Sequence, residues 1–247
     1  MSQSPRPPYF YVLDTDANAP FPSVTLAHED PDGLLAIGGC LSPTRLMNAY
    51  RQGIFPWFSP NEPILWWSPS KRAVIASDSV RCNRSLRKFI KQSQYRVTLN
   101  RDFPAVIRHC ADIPRGPGNG TWITKAMQQA YITLHELGHA HSIEVWQGET
   151  LVGGLYGVQV KRTFCGESMF SLAPNASKVA LVALGDELQR LSIERIDCQI
   201  MNPFLQQMGA QELPRTDFIQ ALQEQQELEF DHQRWCSRQI PIANVGN

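Results

Sequence analysis

Long apolar runs are missing from this chain: no window of ~18 consecutive apolar residues occurs, so a membrane-spanning helix is excluded as a reading of the sequence. The opening stretch, MSQSPRPPYFYVLDTDANAPFP, carries prolines and aspartates where a secretory signal needs unbroken apolar residues, and an intracellular, cytoplasmic protein is expected. Paired cysteines are missing too. Cys40, Cys82, Cys110, Cys165, Cys198 and Cys236 are scattered with no CxxC, which excludes a zinc knuckle or a redox dithiol and leaves reduced, mostly packed thiols. Net charge is also absent, with 23 basic against 23 acidic residues, which argues against a protein that coats long nucleic acid. What remains is 247 residues that are 43% hydrophobic, enough for a substantial core and two unequal domains and too apolar for a disordered chain.

The zero balance hides a segregation of charge. Lys71 to Arg101 holds nine basic residues against Asp78 alone, a net +8 over 31 residues. Glu212 to Asp231 reverses the sign, six acids facing only Arg215. The first seventy residues are rich in Pro, Gly and aromatics and contain one well-marked helix, with Ser42 as N-cap, Pro43 at its first position, Leu46, Met47 and Tyr50 on one face and Gly53 as the stop. GIFPWFSPNEPILWWSPSKRAV follows, stiff and aromatic, with no periodicity that assigns it to helix or strand.

From Ala73 the pattern alternates: strand RAVIAS, a basic helix around Arg84 to Gln92, strand YRVTL, and a helix from Asp102 to about Ala111. After the loop PRGPGNG, Thr124 caps a helix that reaches Leu137 and ends at Gly138. HSIEVWQG, TLVGGLYGVQV and RTFCGESMF then read as three successive strands, the first two joined by a turn at Gly148-Glu149. A long apolar helix from Asn175 to about Leu191 and the strand ERIDCQI complete the pattern.

Two formal motifs are set aside. His135-Glu136-Leu137-Gly138-His139 fits HExxH, but Gly138 reads as a helix C-cap, and Ser142 and Val145 stand where the longer zinc-protease signature has Gly and His. Arg115 to Gly120 fits the RxxGxG with which acetyltransferases cradle coenzyme A, but it follows a helix rather than a core strand and reads as a surface loop.

Two clusters carry more. Arg84, Arg87, Lys88 and Lys91 fall at i, i+3, i+4 and i+7, one continuous face, while Leu86, Phe89 and Ile90 point into a core. Solvated faces normally mix signs, so a one-sign face favours a polyanion, and in a neutral protein a local contact with a compact folded RNA. The second cluster is FCGESMF with IDCQ. In a regular strand Asp197 and Gln199 share one face opposite Ile196 and Cys198. A carboxylate in a core strand costs several kcal/mol unless it is paired or solvated by a pocket, so Asp197 is either a structural acid tied to an arginine or backbone N–H groups, or part of a catalytic site.

FPSVTLAHEDPDGLLAIGGCLSPTRLMNAYRQGIFPWFSPNEPILWWSPSKRAV, TWIT, LHELGHAHSIEVW, LVGGLYG, FCGESMF, NASK and IDCQ together closely resemble the leucyl/phenylalanyl-tRNA–protein transferases, over roughly residues 20 to 220. The resemblance implies an α/β (α+β) fold, with a small N-terminal domain (1–72), an acetyltransferase-like mixed-sheet domain (73–235) and a tail (236–247). It implies transfer of Leu or Phe, with Met as a further donor, from aminoacyl-tRNA to the N-terminal α-amine of proteins that begin with Arg or Lys. No cofactor and no metal are implied, no membrane partner, and a monomer is expected.

Carried over by position, the resemblance makes Asp197 and Gln199 the catalytic pair and matches Glu167 to the family's GESMF acid; since a cationic acceptor must be met by a second acid, Glu167 is expected to hold the acceptor's Arg or Lys terminus. Trp57 and Trp122 lie near the 3′ adenosine and the acceptor, while Phe164, Met169, Leu184 and Ile196 line the side-chain pocket. Cys40 departs from the acid of the family's GGDLSP, and Phe204 from a histidine common after IDxQ. An amine acetyltransferase using coenzyme A and a catalytically silent tRNA-binding protein are the competing readings.

Overall fold

The computed structural model describes residues 10–113, 121–225 and 232–242. The RxxGxG stretch and the far end of the acidic stretch, 226–231, lie outside the described residues.

Side-chain caps set the helix starts that the sequence predicts. The Ser42 hydroxyl accepts the Arg45 N–H at the start of α1 (Pro43–Arg51), Asn83 accepts the Leu86 N–H in α2 (Arg84–Gln92), Asp102 accepts the Ala105 N–H in α3 (Phe103–Asp112) and Thr124 accepts the Met127 N–H in α4 (Lys125–Glu136). The cap of α1 stands without the family's acid: Cys40 donates its thiol to the Ser42 hydroxyl at 3.4 Å. Gly138, at φ 81°, ends α4 in the left-handed conformation that glycine adopts freely. His135 is stacked on Phe103 and donates from Nδ1 to the Ala140 carbonyl, so the helix stops before both histidines of HExxH could share a face.

The strands form two sheets. β1 (Tyr11–Leu13), β2 (Leu34–Gly38), β3 (Phe55–Pro56) and β4 (Leu65–Trp67) make a small one in the order β1-β2-β4-β3, so the stiff aromatic segment proves to be a hairpin. The large sheet contains β5 (Lys71–Ala76), β6 (Tyr95–Leu99), β7 (Ala140–Gln147), β8 (Thr150–Val160), β9 (Thr163–Ser171), β10 (Arg195–Gln199), β11 (Gln211–Pro214) and β12 (Arg238–Ile240), in the order β11-β5-β10-β9-β8-β7-β6-β12. It is the mixed α/β architecture expected, and β5 through β10 fall where the pattern puts them. β5 begins at Lys71, so the large sheet reaches across the 72/73 division, and β12, inside the expected tail, pairs with β6 as an edge strand.

β9 and β10 run parallel, joined by the crossover helix α5 (Ala176–Arg190). Gly153 in β8 lets this helix approach, because a Cβ there would meet Ala176 at 2.4 Å. One core lies on the α5 face, with Leu181, Leu184, Phe164 and Ile196. The other lies on the opposite face, where Tyr131 and Tyr156 join Leu46, Tyr50 and Trp66 of the N-terminal unit. α6 (Pro203–Met208) connects β10 to β11, and α7 (Arg215–Glu224) packs on β11 and β5 at that edge of the sheet.

Candidate active site

The site is made by two strands coming apart. β9 and β10 pair from Arg195↔Thr163 only as far as Asp197↔Cys165. Just beyond, each strand carries a bulge against its other neighbour. In β9, Gly166 to Ser168 oppose Tyr156 and Gly157, making Glu167 the extra residue. In β10, Asp197 to Gln199 oppose Val74 and Ala73, making Cys198 the extra residue and putting Gln199 at φ 57°. An inserted residue bends its strand and re-aims the side chains around it, and two such bends open the seam.

A cavity of about 480 Å³ fills the gap under α5, its wall including Met169, Leu181, Leu184, Ile196 and Phe204. A smaller hollow of about 130 Å³ is lined by Phe55, Trp57 and Trp122, and the two share Glu167, Cys198, Gln199 and Ile200. The structure therefore brings Glu167, Gln199, Met169, Leu184, Ile196, Trp57 and Trp122 to one place. It does not bring Phe164 to the cavity wall: that ring is fully buried and stacks on Trp235 at 6.0 Å.

The shared face expected for Asp197 and Gln199 is not found, because the bulge breaks the alternation between them. Gln199 lines both hollows, whereas Asp197, with no exposed surface, lines neither. Arg72 donates to it twice, Nε to Oδ1 and Nη2 to Oδ2, both at 2.7 Å. The guanidinium donates its third bond to the Gly53 carbonyl at 2.9 Å and sits between the rings of Phe55 and Phe218. Burial alone would depress the Arg72 pKa, and the Asp197 carboxylate more than offsets it, holding the arginine charged. Asp197 reaches the site through Gln199, whose backbone N–H donates to Oδ1 at 3.0 Å and whose side-chain Nε2 donates to the Asp197 carbonyl at 3.4 Å.

Glu167 is placed differently. The Tyr131 hydroxyl donates to Oε2 at 3.0 Å, Tyr50 and Tyr131 are hydroxyl to hydroxyl, and Oε1 has no hydrogen-bond partner among the described residues. Burial pushes its carboxyl up to about 7, against the lowering effect of the two tyrosine hydroxyls. Burial raises the Cys198 thiol far above its usual range, which keeps it protonated and unsuited to nucleophilic attack. Among the described residues no group of three His, Cys, Asp or Glu is placed to hold a metal.

On α2, some distance along the chain, Arg84, Lys88 and Lys91 are exposed as expected. Arg87 is half-buried and donates to the Cys82 carbonyl at 3.4 Å, so the basic face is effectively three residues wide. Sequence reasoning missed three contributors. Arg72 counts there only as one more basic charge, Tyr50 only as an apolar helix face, and Tyr131 carries no signal.

An apolar cavity that meets a carboxylate and an amide at its mouth, with no thiolate nucleophile, suits an enzyme that moves an already activated acyl group, which places the protein in the acyltransferase class. Residues 74–223 match the family described as leucyl/phenylalanyl-tRNA protein transferase, and residues 39–70 match the N-terminal domain of the same family. The chain is 50% identical over 238 residues to the leucyl/phenylalanyl-tRNA–protein transferase of Xanthomonas axonopodis pv. citri, covering 96% of each. It is 54% identical over 214 residues to that of Colwellia psychrerythraea, covering 85% of this chain and 88% of the relative. The chain belongs to the leucyl/phenylalanyl-tRNA–protein transferase family.

Proposed function

We propose that this protein transfers Leu or Phe, and Met as a further donor, from aminoacyl-tRNA to the N-terminal α-amine of proteins beginning with Arg or Lys, at the seam between β9 and β10. Supporting this reading is the meeting of the two hollows at Glu167 and Gln199, which allows donor and acceptor to approach one point from different sides. The donor side chain enters the larger cavity against Met169, Leu184 and Ile196. Trp57 and Trp122 take the 3′ adenosine and the acceptor chain in the smaller hollow.

The acceptor's ammonium gives up one proton to water, its nitrogen attacks the ester carbonyl carbon, and the tetrahedral intermediate collapses as the C–O bond to the tRNA breaks and a second proton passes from that nitrogen to the departing 3′ oxygen. The ester is already activated, so positioning, proton removal and charge stabilisation are all that is asked of the protein. Gln199 holds the attacking amine. Asp197 acts through Gln199 rather than directly, since Arg72 occupies both of its oxygens. Glu167 meets the cationic terminus of the acceptor with Oε1. Its carboxyl, raised to about 7 by burial, is drawn into the charged form by that cation.

Arg84, Lys88 and Lys91, with a lesser part for Arg87, hold phosphates of the tRNA body. The enzyme works in the cytoplasm as a monomer, on tRNA and protein substrates; among the described residues no helix is long and apolar enough to cross a membrane. The test is labelling of an Arg-starting peptide with radioactive leucine from Leu-tRNA, beside a parallel assay with acetyl-coenzyme A. Labelling in the first alone supports the reading. Acetyl transfer, or RNA binding without either product, overturns it.

A further inference from the structure

Two tyrosines contributed by different parts of the chain converge on Glu167. Tyr50 ends the last turn of α1 in the N-terminal unit, and Tyr131 lies in α4; both are buried, with Tyr50 at 1% and Tyr131 at 0% exposure. A phenol has one proton to donate. Tyr131 spends its own on Oε2 of Glu167, so in the contact between the two hydroxyls Tyr50 must be the donor and Tyr131 the acceptor. The chain of bonds therefore has one direction, from Tyr50 to Tyr131 to Glu167. Reversing it would leave the Tyr50 proton without the acceptor that Tyr131 supplies.

We propose that Tyr131 and Tyr50 are positioning residues for acyl transfer, a one-way hydroxyl relay that commits Oε2 of Glu167 and leaves Oε1 to the acceptor's cation. The proposal rests on the assignment of Glu167 to the acceptor made above. Because Oε2 is held as an acceptor, any proton on Glu167 resides on Oε1, where it blocks the cation. The relay also explains what the N-terminal unit contributes to a site built on the large sheet: α1 delivers the first hydroxyl.

The charged and titratable groups around Glu167 come from six elements: Tyr50 of α1, Tyr131 of α4, Arg72 of β5, Cys165 of β9 itself, Asp197 and Cys198 of β10, and Tyr156 of β8 against Tyr131. The Arg72–Asp197 pair is closed on itself, and both thiols are held protonated by burial. The tyrosines remain in that surrounding as the neutral donors that favour the Glu167 anion, and both are themselves pushed well above their usual range by burial.

The experiment measures kcat/KM for an Arg-starting peptide with Leu-tRNA across pH 5.5 to 9 in the full-length protein, corrected for the titration of the peptide's own α-ammonium, together with thermal unfolding and the KM for Leu-tRNA. The parent loses activity on its acid side as Glu167 protonates. Tyr131→Phe is expected to move that acid limb upward by about one pH unit, since the carboxylate loses the hydroxyl bonded to Oε2. Tyr50→Phe moves it the same way, since its hydroxyl also lowers the Glu167 carboxyl, and the KM for Leu-tRNA stays put in both. Glu167→Gln removes the limb.

A merely structural role would lower activity evenly across pH and leave the limb where it is. Such a result in both tyrosine variants, with the limb still removed by Glu167→Gln, overturns the relay while leaving Glu167 in its place. A limb that survives Glu167→Gln overturns the assignment of Glu167 and the relay with it. If Tyr131→Phe fails to fold, the shift in Tyr50→Phe decides the matter alone.

Discussion

The paired and the parted stretches of β9 and β10 hold one carboxylate each, and the two have opposite fates. Asp197 stands at the last paired position, buried, both oxygens bound by Arg72. Glu167 stands two residues past Cys165, in the bulge, with one oxygen bound and the other without a partner among the described residues. Regular pairing packs a side chain against defined neighbours and leaves no room for a ligand; a bulge gives up backbone pairing and gains access. The acid in the regular stretch has both oxygens taken by Arg72, and the acid in the irregular stretch lines a cavity with one oxygen unpartnered among the described residues.

The largest expected effect breaks the frame. Asp197→Asn leaves the buried Arg72 charge without its counterion, and Arg72→Met leaves the carboxylate without its cation, so each should cost about 3–5 kcal/mol of stability in urea unfolding. The double variant Arg72→Met/Asp197→Asn should recover much of that loss, because no buried charge is left uncompensated. A single-variant loss below about 1 kcal/mol would put Asp197 on the same footing as Glu167.

Next in size, Glu167→Gln should raise the acceptor KM by about tenfold or more with a smaller change in kcat, as a charged partner is exchanged for a neutral one. It should also change how stability responds to pH. With its native carboxyl at about 7 against an ordinary 4.5, the folded protein binds the extra proton between those values, so stability falls as pH rises through that window and levels off above it. The variant should lack that decline in thermal unfolding, and a decline that persists would point to another group.

Met169→Ala sharpens the contrast from the cavity side. Enlarging an apolar pocket should lower kcat/KM for leucine transfer by about tenfold and for phenylalanine transfer by less, since the larger side chain still fills the space. Equal losses would remove Met169 from donor selection. The smallest effects belong to the surface. Arg84→Ala, Lys88→Ala and Lys91→Ala should each reduce the log–log salt slope of tRNA binding by about one, and Arg87→Ala by less because that side chain is half-buried against the Cys82 carbonyl. Salt slopes unchanged in all four would move the tRNA contact off α2.

Much of the frame was legible residue by residue. Ser42 and Thr124 each accept the N–H expected of them as caps, and Asn83 and Asp102 do the same at the starts of α2 and α3, because a cap is satisfied within three residues and needs nothing from the rest of the chain. Amphipathic spacing likewise anticipated α2 and the strand series from β5 to β10. The site was legible in part. Acids in core strands look alike in sequence, yet Glu144 is buried and satisfied by Thr98, Ser142 and two backbone N–H groups, Asp197 is locked to an arginine 125 positions away, and Glu167 lines a cavity. Nothing in period-2 alternation announces the bulge that turns Gln199 away from the Asp197 face.

The sequence by itself determined the starts of α1 to α5, the strand series from β5 to β10, the basic face of α2 and the family, because each depends on contacts within a few residues or on a run of residues read in order. Tertiary structure alone decided that β9 and β10 part after Asp197, that Arg72 takes both oxygens of that carboxylate, that Phe164 packs on Trp235 rather than on a ligand, and that Tyr50 and Tyr131 meet at Glu167. Those contacts join residues from 36 to 125 positions apart, and which of them form depends on the packing of whole sheets and helices rather than on any local preference.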